Sequence, residues 1–308
     1  GHQAGEQVTT GSKNTLVGGN AGDALTTGLQ NTALGYTALG TEDVGSRSTA
    51  IGYAALGLQN VDGNIYNTAV GWSAGSEITT GTANTLIGAA AGDAMQGASN
   101  NTALGYAAMG ATTTGDLNVA LGDNAMVTNT TGDRNVAVGS GSLYTMNPAS
   151  NADMYNVAVG YNAGYAVTTG TLNTLVGGEA GDSLTTGSRN VAVGTSALST
   201  EDAYGRNVAV GYAALLTQNA DADAYNVAVG YDAGTAVTIG TTNTIMGAFA
   251  GDALTTGSNN VAIGYQALST EDAHGRNVAI GKSTLQAQDA GADAYNIAIG
   301  YNAGFIVY

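Results

Sequence analysis

"NVAVGYNAGYAVTTGTLNTLVGGEAGDSLTTGSRNVAVG", residues 156–194, states one five-residue phrase three times: Asn156 to Gly160, Asn173 to Gly177 and Asn190 to Gly194. Each statement is Asn, then three residues drawn from Val, Ala, Thr and Leu, then Gly, and the step from Asn156 to Asn173 equals the step from Asn173 to Asn190. Followed outward, the phrase begins at Asn14, Asn31, Ser48, Asn67, Asn84, Asn101, Asn118, Asn135, Asn156, Asn173, Asn190, Asn207, Asn226, Asn243, Asn260, Asn277 and Asn296. Most of these steps have the same length; those into Asn67, Asn226 and Asn296 are longer by two, and that into Asn156 is longer by four. A short fixed period of this kind is the mark of a solenoid in which each repeat is one coil stacked on the last.

A second period lies above the first. Blocks of four coils open at Asn14, Asn173 and Asn243, and the block at Asn84 carries one extra coil. The expected organisation is a single continuous β-solenoid over 1–308, with super-repeats near 14–83, 84–172, 173–242 and 243–308. Gly1 falls in register with the Gly of the phrase, and the chain stops inside a coil at "YNAGFIVY". Neither end supplies the polar cap that an isolated solenoid needs. The expectation is therefore a segment of a longer protein.

Composition narrows the function classes. Among 308 residues there are 48 Gly, one Pro, no Cys and 10% charged residues, with a formal net charge of −16. The 44% hydrophobic fraction is mostly small, with two Phe and one Trp, so the interior must be thin and closely spaced. Disulfides and cysteine-held metals are ruled out. Strong acidity speaks against nucleic acid or an anionic membrane surface as a partner. No stretch reaches the roughly 18 apolar residues of a membrane span.

Within a coil the phrase reads as a short strand. Side chains alternate, so Val157 and Val159 share one face and Ala158 the other. Both faces are apolar in every copy: one can line the coil, and the other needs a partner. The simplest source is the same strand in neighbouring chains about an axis, which predicts an all-β, parallel β-solenoid (β-roll) in an intertwined or side-by-side homotrimer. Gly160, Gly177 and Gly194 mark a column where the backbone needs φ > 0 or passes close to a neighbour. Asn156, Asn173 and Asn190 are expected to stack as a ladder of side-chain amides. Ala follows the Gly at the third place in all but two copies, where Ser142 and Thr284 stand. Directly after the Gly come Tyr36, Tyr53, Trp72, Tyr106, Tyr161, Tyr212, Tyr231, Tyr265 and Tyr301, a column expected to cover a solenoid corner, with sugar binding as the alternative.

The pattern Asn-x-Ala-Val/Ile-Gly-x-x-Ala, as in Asn260 to Gly264 followed by Ala267, resembles the head repeats of YadA-type trimeric adhesins. The fuller "NTALGYTALG" (31–40), interleaved with "LTTG" turns, is similar to repeat arrays of phage and phage-like tail fibres, often followed there by an endosialidase-type intramolecular chaperone. The likeness covers nearly the whole chain and implies a trimeric, left-handed parallel β-roll. It implies a structural shaft, extracellular or on a virion, that presents a receptor-binding region for attachment. The alternative is the stalk or head of a bacterial surface adhesin. A remote alternative is an ice-binding face built from Thr-Thr columns such as Thr168-Thr169 and Thr185-Thr186. Both main readings place recognition of a cell-surface receptor or glycan in regions outside this segment or in lateral loops. The basic coil is longer than expected for the adhesin head.

Charge is placed as regularly as apolarity. Arg47, Arg134, Arg189, Arg206, Arg276 and Lys13 stand directly before the phrase, and Glu42-Asp43, Glu201-Asp202 and Glu271-Asp272 recur in "TED" turns, so ion pairs are expected. Catalysis is not expected, because neither His2 nor His274 has a recurring nucleophile partner. Asp221 and Asp223 in "ADADAY" would lie about 6.7 Å apart on one face if extended, a weak carboxylate pair and a weak candidate for structural calcium. Asp23, Asp93, Asp182 and Asp252 read as turn residues. The longer coils carry their extra residues in 56–66, 143–155, 215–225 and 285–295, each ending in Tyr (66, 155, 225, 295). These segments hold Asp62, Pro148, Asp153, Asp221, Asp223, Asp289 and Asp293, and are expected to bulge outward as acidic knobs, bracing the rod or forming lateral contacts.

Overall fold

The computed structural model describes residues 1–289 and 291–305; Ala290 of the last long segment and the final residues 306–308 lie outside it. It is an all-β parallel solenoid, with no helix among the described residues. Two compact units divide at Tyr155 and Asn156, between two coils.

In the first unit the phrases form eight short strands among the described residues: Thr15–Val17, Thr32–Leu34, Thr49–Ile51, Thr68–Val70, Thr85–Ile87, Thr102–Leu104, Val119–Leu121 and Val136–Val138. Each pairs in parallel with the next at the same phrase position, as Thr32↔Thr49 and Ala33↔Ala50 do. In the second unit nine strands pair likewise, from Val157–Val159 to Ile297–Ile299. The longer interval between Asn207 and Asn226 is absorbed without a slip, since Val208 still pairs with Val227. A slip of one residue would turn every side chain to the other face, so insertions are confined to the turns.

The middle strand residue points inward. Ala33 through Ala137 in the first unit and Ala158 through Ala279 in the second are fully buried at this position. The Ala after the turn is buried beside it, and where Ser142 and Thr284 replace Ala, their hydroxyls donate to Gly139 O (2.8 Å) and Gly300 O (2.7 Å). The four-coil period is a volume code. Where the middle residue is Leu or Ile, the residue six further on in that coil and in the preceding one is Gly. A Cβ added at Gly75 would lie 2.7 Å from Leu86 Cδ1, and one at Gly92 would lie 3.0 Å from Leu86 Cδ2. Where the middle residue is Ala in the intervening coils, Leu or Met fills the same space, as Leu39, Met109 and Leu198 do. Close packing with small residues demands such compensation.

A further interior column takes one residue from each coil, beyond the turn that follows the strand. In the first unit it reads Leu25, Glu42, Gln59, Ile78, Met95, Thr112, Asn129, Met146, and in the second Val167, Leu184, Glu201, Gln218, Val237, Leu254, Glu271, Gln288, all buried. The "TED" glutamates therefore lie in the core and not in solvated turns.

The asparagine side chains hydrogen-bond from coil to coil, chiefly to backbone groups. Within each unit the Asn Oδ1 accepts from the backbone N–H of the residue that opens the next coil, as Asn156 Oδ1 does from Asn173 N (3.0 Å) and Asn173 Oδ1 from Asn190 N (3.0 Å). In most copies Nδ2 turns to a backbone carbonyl later in the coil, Gly170 O for Asn156 and Gly187 O for Asn173, whereas Nδ2 of Asn207 and of Asn277 has no partner. Contacts from amide to amide are secondary, such as Asn173 Nδ2 to Asn156 Oδ1 at 3.2 Å. The backbone wins because each coil corner leaves one N–H and one C=O that the short strand cannot satisfy.

Left-handed backbone recurs at fixed places in each coil. The phrase Gly sits at φ +142 in Gly160, +139 in Gly177 and +135 in Gly194. The residue before the phrase is left-handed in all copies and never Gly: Leu117 (φ 60), Arg189 (φ 61) and Thr242 (φ 58) are examples. That corner points an exposed side chain away from the stack.

Candidate functional site: the outward stripe and the buckled loops

The second and fourth phrase residues face outward. Val17, Leu34, Ile87 and Leu104 in the first unit, and Met246, Ile297 and Ile299 in the second, are among the exposed large apolar side chains. Beside them runs the column after the phrase Gly, where Tyr36, Tyr53, Trp72 and Tyr106 are 54%, 51%, 59% and 61% exposed. The rings stack along the coil direction: Tyr36 on Tyr53 at 5.7 Å and Tyr53 on Trp72 at 6.4 Å, with interplanar angles of 15° and 12°. In the second unit Tyr212 stacks on Tyr231 at 5.1 Å, and Phe249 joins the row edge-on between Tyr231 and Tyr265. Lys282 lies over the rings of Tyr265 and Tyr301. Stacked rings turn their faces to one another, whereas a sugar platform needs an open face. This geometry favours the covering role.

The arginines find partners that the sequence reading did not assign. Arg134, Arg206 and Arg276 pair with Asp153, Asp223 and Asp293, not with the "TED" acids. Each also stands over the loop tyrosine one coil on: Tyr155, Tyr225 and Tyr295, at 5.9, 5.4 and 5.3 Å from the ring centroid. Arg47 does the same with Tyr66, donating to its hydroxyl at 2.6 Å, and uses Gln30 Oε1 (3.1 Å) where Asn64 takes the place of the Asp. Asp223 and Asp293 also accept from the amides of Gly205 (3.2 Å) and Gly275 (2.9 Å). The long segments are thus buckled to the coil before them within one chain. The ion pairs are 35–48% exposed and each contributes about 1 kcal/mol at most.

The loops are only partly outward. Asp62, Asp153, Asp221, Asp289 and Asp293 are exposed, and Asp223 is half-buried. Pro148 is buried, its carbonyl accepting from Thr131 Oγ1 at 3.2 Å. Ile65, Met154 and Ala224, each directly before the loop tyrosine, are buried too. Residues Ala152–Asp153 even pair with Gly132–Asp133 as a second short parallel ladder. Asp221 and Asp223 do not lie on a strand, and Asp223 is taken up by Arg206, so the extended spacing assumed for them is not realised.

The threonines of the "TTG" turns spend their hydroxyls along the stack: Thr168 Oγ1 donates to Thr185 O (3.1 Å) and Thr185 Oγ1 to Asp202 O (2.9 Å). Glu271, Asp272 and His274 offer ligand atoms within 4.8 Å of one another. Glu271 already accepts from Gln288 Nε2 (2.9 Å) and His274 N (3.1 Å).

The polar core contains Glu42, which accepts from Gly45 N (2.7 Å), Gln59 Nε2 (3.0 Å) and Val61 N (3.3 Å). Burial raises its carboxyl above the usual range, and those donors partly offset the rise. Burial pushes Glu201 up to about 7, with the Tyr204, Ala220 and Asp202 backbone amides opposing and the Asp202 charge adding. A Gln one coil after each buried Glu, Gln59 after Glu42, Gln218 after Glu201 and Gln288 after Glu271, was the available sequence signal for this pairing.

No helix among the described residues is long and apolar enough to cross a membrane. No protein-family model matches the chain, and no curated protein matches it.

Proposed function

We propose that this chain is the structural shaft of a trimeric extracellular or virion fibre, holding a receptor-binding region away from its anchor. The observation that carries the reading is the outward apolar stripe on each unit. At about 150–250 Å² per aromatic side chain, Tyr36, Tyr53, Trp72 and Tyr106 alone leave roughly 400 Å² exposed, and the outward Val, Leu and Ile residues add to it. A contiguous apolar patch beyond a few hundred Å² marks an interaction surface. The stripe repeats with the coil, so the partner that fits it is another copy with the same repeat. Backbone groups are engaged in the coil ladders and Arg47, Arg134, Arg206 and Arg276 in the buckles, so the stripe offers mainly apolar side chains for association.

Leu104→Asp tests this. Leu104 is 48% exposed in the single chain, so the charge should leave an isolated chain within about 0.5 kcal/mol of its stability. In an assembled fibre it buries a carboxylate and should dissociate the chains. Asn162→Asp, in a left-handed turn that Asp also tolerates, is the control. Sedimentation that shows the same mass for wild type, Leu104→Asp and Asn162→Asp would overturn the assignment of the stripe as the interface.

A further inference from the structure

The buried Glu and Gln of the interior column occur three times, and the copies are not in the same state. In the first, Gln59 Nε2 donates to Glu42 Oε2 at 3.0 Å while Gln59 Oε1 accepts from Asn67 Nδ2 at 2.9 Å. In the third, Gln288 Nε2 donates to Glu271 Oε2 at 2.9 Å and Gln288 Oε1 accepts from Asn296 Nδ2 at 2.8 Å. The middle copy keeps the second bond, Asn226 Nδ2 to Gln218 Oε1 at 2.6 Å, but Gln218 Nε2 donates to Thr238 O at 2.9 Å. A carbonyl can only accept, which fixes the amide orientation. Glu201 Oε2 is left without a hydrogen-bond partner although the residue is fully buried; Nδ2 of Asn207 is unpartnered as well, but so is Nδ2 of Asn277 in the third copy, so the carboxylate oxygen is what sets the middle copy apart.

We propose that Glu201 and Gln218 form a proton-operated latch between adjacent coils: with Glu201 protonated the amide rests on Thr238 O, and with Glu201 ionised it swings onto Oε2. The second arrangement, with the amide on the carboxylate, is the one seen at Glu42 and Glu271. The backbone amides of Tyr204, Ala220 and Asp202 act on the Glu201 carboxyl, but no donor reaches Oε2 within hydrogen-bond limits, and an ionised carboxylate, which has only acceptors, draws in a nearby side-chain donor to such a buried oxygen. A protonated acid needs no such donor, which is the state compatible with Gln218 on Thr238. Asp202, on the same turn, is the charged group that faces Glu201. The preceding coil presents Leu184 at the equivalent position and the following coil presents Gln218, neither of which titrates. Arg206 and Asp223 neutralise one another at the surface. Burial and the Asp202 charge put the midpoint near neutrality.

The whole chain is suited to the test because it has six glutamates, so labelling glutamate carboxyl carbons gives six signals. Carboxyl signals and glutamine side-chain amides are followed by NMR from about pH 4 to about pH 9. The expected result is one carboxyl, absent in Glu201→Gln, that titrates near 7, with the Gln218 amide shifting at the same midpoint. In Glu201→Gln the Gln218 amide should not respond to pH. Gln218→Met supplies an independent arm, because it removes the donor to the ionised acid and should move the Glu201 midpoint upward. A Glu201 carboxyl that titrates below about pH 5, a Gln218 amide that does not follow it, or an unchanged midpoint in Gln218→Met would each overturn the latch.

Discussion

Gly177 and Gly178 are neighbours in sequence and opposites in structure, which makes alanine at each a matched experiment. Gly177 has φ +139, and a Cβ there would lie 2.5 Å from the carbonyl carbon of Gly194 and closer still to its oxygen. The obstacle is backbone of the next coil. It cannot retreat freely, because Gly194 N donates to Val176 O at 2.7 Å and Gly194 O accepts from Ala197 N at 3.3 Å. Backbone strain costs about 1–3 kcal/mol, and loosening the ladder bond and the turn bond costs about 1 kcal/mol each. Gly177→Ala should therefore lose about 3–5 kcal/mol, a large share of the stability of any domain. At Gly178 an added Cβ meets nothing within 4 Å. The equivalent position holds Tyr in other coils, so Gly178→Ala should gain about 0.4–1 kcal/mol by restricting the unfolded chain. Urea unfolding followed by circular dichroism measures both, with hydrogen exchange at Val176 and Thr195 locating the damage. Equal effects of the two substitutions, or a loss below about 1 kcal/mol at Gly177, would refute the close approach of successive coils.

Leu86→Ala should cost about 3–4 kcal/mol in the same assay, because the Leu86 side chain fills the space beside Gly75 and Gly92 that no neighbour can enter; a loss under about 1 kcal/mol would show that the volume code is slack. Glu201 contributes a pH dependence whose sign follows from its raised carboxyl. The folded state holds the proton up to about 7 and the unfolded state only to about 4.5, so stability is full below about pH 4.5 and falls as pH rises toward 7. At about 1.36 kcal/mol per unit the total loss is roughly 3 kcal/mol, and Glu201→Gln, which cannot ionise, should abolish that slope in urea titrations at pH 5 and pH 8. A slope unchanged in Glu201→Gln would show that other groups set it.

The coil period, the strand and its inward and outward faces were legible because they repeat: a short strand with Gly behind it recurs at a spacing that only stacking explains. Val157 and Val159 face out and Ala158 faces in, as alternation requires. The buried glutamates were not legible by type, since Glu before Asp in "TED" reads as a solvated turn. Only alignment with Leu25 and Ile78 in the same column reveals that Glu42 occupies a core position. The arginine partners were missed for a related reason. Arg206 reaches Asp223 and Tyr225 in the following coil, and a loop's path cannot be derived from its length. Pro148 was expected in a protruding knob and is buried, because the longest segment folds back to pair with Gly132–Asp133. The position of the Asn ladder was legible, but which groups its side chains bond was not: most bonds go to backbone N–H and C=O groups that the short strand leaves unpaired.

In the proposed fibre, further copies of this chain cover the outward stripe. Native mass measurement of the chain under non-denaturing conditions tests this most directly. A trimer predicts a particle of three times the 30.3 kDa chain mass, converted to smaller species by Leu104→Asp. A stable, soluble species of 30.3 kDa at micromolar concentration, with the stripe bare, would contradict it.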